Sequence, residues 1–255
     1  MFEQAKQAAL TAGKWIASQQ PGVVSHKGPV DLVTEVDLGA EARIRDVLSQ
    51  SGVPVFAEEG GGAENATTRW IVDPLDGTTN FVHGFPSYGV SIALQIDGVL
   101  EIGVVYDVPR DLLYAARRGH GASCNGRSIH VSKVNQLSHS LVASGFAVDR
   151  RERADDYLRF VKVMLERSQG FRRAGAAALD LCHVACGQLD GFWEFNLSPW
   201  DVAAGCLILS EAGGRFTDLD GGPLQVDSPR LLASNGLIHQ EMHQALAPLL
   251  PLSSN

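Results

Sequence analysis

Apolar positions along the chain alternate between helical and extended spacing. Phe2, Ala5, Ala9, Ala12 and Ile16 recur at helical intervals, which predicts a helix over 2–18 that Pro21-Gly22 ends. Ala40, Ile44, Val47 and Leu48 form the stripe of a second helix. Thr34 stands at its N-cap, with Asp37 three residues on as an acidic variant of the capping box. On spacing alone Asp37 either merely caps or also serves chemistry. Residues 53–57 read as a short strand that delivers Glu58 at its end, and Gly60-Gly61-Gly62 reads as a mobile loop. Trp70-Ile71-Val72 suits a buried strand, although periodicity alone admits a helix. Pro74 has no N–H to donate and should stop the ladder.

Residues 88–96 and 99–106 flank Asp97-Gly98, the strongest short hairpin signal. With an extended run over 112–116 they predict an antiparallel meander. Gly119, Gly121 and Asn125-Gly126 punctuate a turn-rich passage. An extended segment at 141–144 opens a second lobe, and a charged helix follows over roughly 150–168 with Tyr157, Val161 and Leu165 on one face. Phe171-Arg172-Arg173 is strand-like, and Gly175-Ala176-Ala177-Ala178-Leu179 opens a small-residue helix. Residues 191–195 form an aromatic strand that contains Glu194. Ser198-Pro199-Trp200-Asp201 is a helix start, with serine at the N-cap, proline in the first turn and an acid at the third position. That helix should reach Gly213-Gly214, and a strand at 231–234 and a helix near 237–247 close the chain. The alternation predicts a layered α/β protein. An N-terminal lobe over 1–140 carries a helix pair on an antiparallel sheet, and a smaller α/β lobe spans 141–255. No linker separates them, so they form one compact unit.

The composition narrows the function. At 255 residues, 45% apolar and 20% charged, the chain resembles an ordinary soluble protein. Its formal charge of −8 argues against a nucleic-acid partner, which calls for a basic footprint. Cys124, Cys182, Cys186 and Cys206 show neither a disulfide framework nor a C-x-x-C pattern. No signal peptide and no apolar run of about 18 residues is visible, so the cytoplasm is the expected compartment and no membrane is expected.

The stretch from Trp70 to Pro86 reads W-I-V-D-P-L-D-G-T-T-N-F-V-H-G-F-P. It sets two carboxylates, Asp73 and Asp76, at a strand end before a glycine and two hydroxyls. Hard cations take carboxylate and carbonyl oxygens, and helix N-termini favour anions. Taken alone, D-P-x-D is as often a simple turn. His239 and His243 stand four apart but lack the zinc-protease order, and they read as a solvated face of the last helix. His83 reads as a packing residue.

The whole string resembles the first signature of the inositol monophosphatase family, which is Mg²⁺-dependent and lithium-sensitive. Trp200-Asp201-Val202-Ala203-Ala204-Gly205, running to Glu211-Ala212-Gly213-Gly214, resembles the second signature. Asp31-Leu32-Val33-Thr34-Glu35-Val36-Asp37 and Ala57-Glu58-Glu59-Gly60 match in the same order. The resemblance implies the α–β–α–β–α sandwich of sugar phosphatases, hydrolysis of a phosphate monoester (inositol 1-phosphate foremost) and a homodimer. It implies two to three Mg²⁺ per site: one held by Glu58, Asp73 and the Leu75 carbonyl, a second by Asp73, Asp76 and Asp201, and a weaker third near Glu58. Water is then the nucleophile, oriented by Glu58 and Thr78, with Asp37 accepting the Thr78 proton. Gly77 and Thr78 cradle the phosphate. Glu194, Asp76, Asp201 and the backbone of Gly175 and Ala177 bind the polyol. Lys27 matches a position near the phosphate or is a surface lysine. Ala176 stands where many members carry a hydroxyl. Arg172-Arg173 is similar to the bacterial branch, at an interface or on the surface. Thr79-Asn80-Phe81 resembles the inositol branch more than the nucleotide or histidinol branches. The alternatives are a broader sugar or polyol phosphatase, a histidinol phosphatase, or an active enzyme with an added regulatory binding role.

Overall fold

The computed structural model describes residues 1–22, 24–26, 32–227 and 230–252. Two helices open the fold, α1 (Phe2–Ala17) and α2 (Glu35–Ser49), with the strands β1 (Val24–His26) and β2 (Leu32–Thr34) paired between them. They cover one face of an eight-stranded sheet ordered β10-β9-β8-β7-β6-β5-β3-β4. Its strands are β3 (Val55–Ala57), β4 (Gly61–Gly62), β5 (Arg69–Asp76), β6 (Gly89–Ile96), β7 (Val99–Asp107), β8 (Leu112–Arg117), β9 (Ala122–Cys124) and β10 (Arg127–Ser128). Between β5 and β6 lies the short helix α3 (Thr78–Val82).

The second sheet is five-stranded, ordered β12-β11-β13-β15-β14. It comprises β11 (Leu141–Ser144), β12 (Gly170–Arg172), β13 (Gly191–Phe195), β14 (Arg215–Asp218) and β15 (Arg230–Ser234). The helices α5 (Ala177–Ala185) and α6 (Pro199–Glu211) lie between the sheets, while α4 (Ala154–Arg167) and α7 (His239–Leu246) pack beyond the second. The result is an α–β–α–β–α sandwich. Helix α6 is apolar all round because both its faces are covered: Val202 to Leu209 are all buried. It approaches β7 so closely that a Cβ on Gly103 would lie 2.6 Å from the Ala204 carbonyl. Among the described residues no helix is long and apolar enough to cross a membrane.

Several expectations are corrected. The first sheet is mixed, because β3 runs parallel to β5 while the meander is antiparallel. Gly61-Gly62 pairs with Ala57-Phe56 as a strand rather than forming a mobile loop. Helix α4 buries Tyr157, Phe160 and Met164, and leaves Leu165 62% exposed. Spacings of three and four both suit a helix, so periodicity could not choose the face. The edge strand β14 had no prediction.

His239 is buried, not solvated, at 2% exposure. Its Nε2 lies 3.0 Å from Thr217 Oγ1 and its Nδ1 3.0 Å from Ser234 Oγ. Burial, helped by nearby Arg215 and His243, pushes its pKa down to about 4. The unfolded chain takes up this proton near pH 6.5 and the native one does not. Stability is therefore full above about 6.5 and is lost as pH falls toward 4, by up to roughly 3 kcal/mol from this group. Melting temperatures of wild type and His239→Asn should converge as pH drops through that window. Parallel curves would show that the histidine is protonated in the fold.

Candidate active site

All eight residues of β5 are buried, and its C-terminal end shapes the site. The ladder to β6 is regular through Asp73–Ser91, then shifts register before Asp76–Gly89. Pro74 falls in that shift, so the missing donor produces a bulge, whereas the sequence predicted an end to the strand. In an unbroken strand, residues three apart face opposite sides; a bulge resets the alternation. Asp73 and Asp76 thereby come near enough that Asp76 acts on Asp73 and both feel Glu58. Gly77 follows at φ +89, where a Cβ would lie 2.8 Å from the Ser87 carbonyl. Glycine is required here to turn the strand into α3, before any ligand is considered.

Asp37 caps its helix and also reaches across to Thr78. Its Oδ2 accepts from Thr34 N at 2.8 Å and from Thr34 Oγ1 at 2.6 Å, closing the capping box of α2. Its Oδ1 accepts from Thr78 Oγ1 at 2.8 Å, and that hydroxyl also lies 3.1 Å from the Leu75 carbonyl. One proton with two acceptors leaves the Thr78 lone pairs available to a further donor. At the mirror position of α6, Asp201 Oδ2 accepts from Ser198 N at 2.6 Å.

A cavity of about 660 Å³ opens between these elements, and Glu58, Asp76, Thr78, Glu194 and Asp201 all line it. Asp73 lies just beneath, 2% exposed. Burial raises its pKa well above the usual carboxylate range, and Glu58, Asp76 and Asp201 raise it further; the Leu75 N–H, 2.9 Å away, opposes them. Asp76 is pushed up to about 7 by burial, with Glu58 adding to the rise. Its carboxylate also accepts from the N–H groups at the start of α5, Ala178 N at 2.9 Å among them. Ala176 at that N-cap has no side chain to offer, so Asp76 does the capping from another layer.

Clustered buried acids call for cations. Among the described residues, however, no three His, Cys, Asp or Glu side chains gather closely enough to hold an ion by themselves. Asp73, Asp76 and Asp201 thus do not close around one point, as like charges in a poorly screened cleft resist doing. An ion would have to draw its carboxylates inward as it binds, with carbonyl, water and substrate oxygens completing its shell. That donor set fits Mg²⁺.

The opposite wall is built on β13. Glu194 is 5% exposed, and its pKa is raised well above the usual range by burial and then by Asp201 and Asp180, with Arg173 opposing. Gly145 lies flat against it: a Cβ there would sit 2.0 Å from Glu194 Oε2. Asn80 Nδ2 donates toward the carbonyls of Ser87, Ala174 and Gly175 at 2.6, 2.9 and 3.2 Å, which fixes the segment entering α5 along the cavity. Gly175 and Ala177 line the cavity too.

The sequence reading missed Gly145, Asn80 and the buried Asp180. Asn80 was legible as part of the signature, but nothing local marks Gly145 or Asp180. Arg172 is exposed, and its Nη1 donates to the carbonyl of its neighbour Phe171 at 3.0 Å. Arg173 is exposed but lines the cavity, over the Phe146 ring. His83 is exposed. Lys27 lies outside the described residues, as does Asp31. All four cysteines are free.

Known proteins resemble this chain along its whole length. The family model described as "Inositol monophosphatase family" matches residues 1–253. An inositol-1-monophosphatase of Synechocystis is 44% identical over 96% of this chain and 88% of its own length. Nus factor SuhB of Escherichia coli K12 is 40% identical over 95% of this chain and 94% of its own. The solved inositol monophosphatase of Anabaena superposes with a TM-score of 0.90 at 41% identity, covering 98% of this chain and 96% of that one. With the sandwich and the acid-lined cleft, these matches establish that the chain belongs to the inositol monophosphatase family of phosphatases.

Proposed function

We propose that this chain is a Mg²⁺-dependent phosphatase that hydrolyses inositol 1-phosphate with water as the nucleophile. The observation that carries the reading is the Thr78–Asp37 pair at the edge of a cleft whose acids come from three elements: Glu58 just after β3, Asp73 and Asp76 on β5, and Asp201 at the start of α6. Glu58, Asp73 and the Leu75 carbonyl would hold one ion, and Asp73, Asp76 and Asp201 a second; a third near Glu58 would rely on water. When bound, the ions lower the pKa of water and neutralise charge on the phosphoryl oxygens.

The chain supplies the rest. Asp37, fixed by Thr34, accepts the Thr78 hydroxyl proton, so the Thr78 oxygen turns its lone pairs to the attacking water. Glu58 holds that water from the other side and takes up its proton. The N–H groups of Gly77 and Thr78 cradle the phosphate, which the turn at Gly77 makes accessible. Glu194, far from the reacting phosphorus, accepts from the polyol hydroxyls, and the backbone at Gly175 and Ala177 lines the same pocket. Lithium sensitivity, the cytoplasm and a homodimer belong to the same reading.

A phosphate-release screen tests the substrate. Inositol 1-phosphate should exceed histidinol phosphate, fructose 1,6-bisphosphate, 3′-phosphoadenosine 5′-phosphate and glycerol 2-phosphate in kcat/KM. A clear preference for any other would move the chain to that branch or to a broader polyol phosphatase. Glu194→Ala should raise KM for inositol 1-phosphate about tenfold or more, the cost of a charged hydrogen bond, and change glycerol 2-phosphate far less. Gly145→Ala should copy this by displacing the same carboxylate. Equal losses on both substrates would give Glu194 a catalytic or structural role instead.

The relative named as a Nus factor supports a second reading, in which an active enzyme also has a regulatory binding role. A partner retained from extract equally by wild type and by the inactive Asp73→Asn would support it; no retained partner would remove it.

A further inference from the structure

At the edge of the second sheet, β14 and the start of α7 enclose a separate cavity of about 220 Å³. Its lining is Arg215, Thr217, Gly221, His239, Gln240 and His243. None of these lines the acidic cleft, and none has a role in the hydrolysis.

The chemistry of this lining is opposite to that of the cleft. It offers a guanidinium, a hydroxyl, a carboxamide and two imidazoles, and no carboxylate lines it among the described residues. This stands out in a chain of formal charge −8. The acids of the adjoining turn, Asp218 and Asp220, are both paired with Arg230. His239 forms the floor, its two ring nitrogens taken by Thr217 and Ser234. His243 Nε2, in contrast, is buried with no hydrogen-bond partner among the described residues. A buried polar atom of this kind normally has a partner that is a ligand or water where it is not protein. The space beside it is kept by Gly221, where a Cβ would come within 2.8 Å of that nitrogen.

A cation is disfavoured by Arg215, and one imidazole with an unused nitrogen is too few ligands for a transition metal. An apolar ligand would strand the donors. An anion with several acceptor oxygens satisfies them together: a guanidinium fork engages two oxygens, and the His243, Thr217 and Gln240 groups can serve the others. We propose that this cavity is a binding site for a small tetrahedral oxyanion of the phosphate class, separate from the hydrolytic cleft.

The test uses the full chain with histidine rings labelled by ¹⁵N, in chelator, where the acidic cleft itself repels phosphate. Inorganic phosphate should move the His243 and His239 ring resonances along a saturable curve with Kd on the order of 1 mM. Sodium chloride at matched ionic strength should not. Arg215→Gln should weaken the effect about tenfold or more, while its hydrolytic turnover in Mg²⁺ stays at the wild-type level. Asp201→Asn should leave the phosphate shifts intact. Thr217→Val, which keeps the shape and removes a donor, should weaken binding as well. Shifts that chloride reproduces, or that Arg215→Gln leaves unchanged, would overturn the proposal. So would their loss in Asp201→Asn.

Discussion

Asp73→Asn is expected to lower phosphate release by at least about a thousandfold, since metal charge stabilisation supplies several kcal/mol and each 1.36 kcal/mol is a factor of ten. The same variant should melt, in chelator, at or above wild type. The physical reason lies in what surrounds this carboxylate. Burial and then Glu58, Asp76 and Asp201 all disfavour its charge. Its folded pKa is therefore raised above the unfolded value, so above that unfolded value the ionised group subtracts stability from the native state. Asparagine removes the charge and still accepts the Leu75 N–H bond, 2.9 Å long in the native chain. On adding Mg²⁺ the wild type should gain about 1.4 kcal/mol per site at ten times Kd, and the variant less. Asp76 is a poorer choice for this experiment, because its carboxylate also caps α5, and losing that cap would destabilise the fold by itself. An Asp73→Asn variant that melts far below wild type in chelator, yet gains as much from Mg²⁺, would make Asp73 a structural residue.

The second large effect is expected at Thr78. Replacing it with alanine removes the hydroxyl that sits 2.8 Å from Asp37 Oδ1 and leaves the backbone cradle in place. Positioned proton transfer contributes about 10²–10⁴ in rate, so kcat should fall by that order while KM changes little. Thr78→Ser keeps the oxygen and should restore most of the rate. A loss within about threefold for alanine would be too small for such a role, and equal loss in serine would point to packing of the methyl group.

Local chemistry makes much of this architecture legible in the sequence. Thr34 with Asp37, and Ser198 with Asp201, announce helix starts because the side chains that satisfy free N–H groups lie three residues apart. Asp97-Gly98 announces a hairpin because its backbone, with φ of 50 and 81, twists with the strands it joins. What stayed hidden depends on contacts between distant segments. Nothing near Pro74 says that the strand resumes beyond it; the partner β6 decides that. The buried face of α4 is chosen by Trp193 and Phe195, which Phe160 meets across the layer. His239 is buried by a strand, β14, that its own spacing could not reveal. In the site, the acids at element ends were readable as chemistry, whereas Gly145 matters only because Glu194 lies across from it.

Phosphate release from inositol 1-phosphate as a function of free Mg²⁺, after the chain is stripped with chelator, tests the central claim most directly. The account predicts no turnover in chelator and full recovery with Mg²⁺. The rise should be steeper than first order in the ion, because the carboxylates are shared between more than one. Turnover that persists in chelator, or that Mg²⁺ fails to restore to a correctly folded chain, would contradict it.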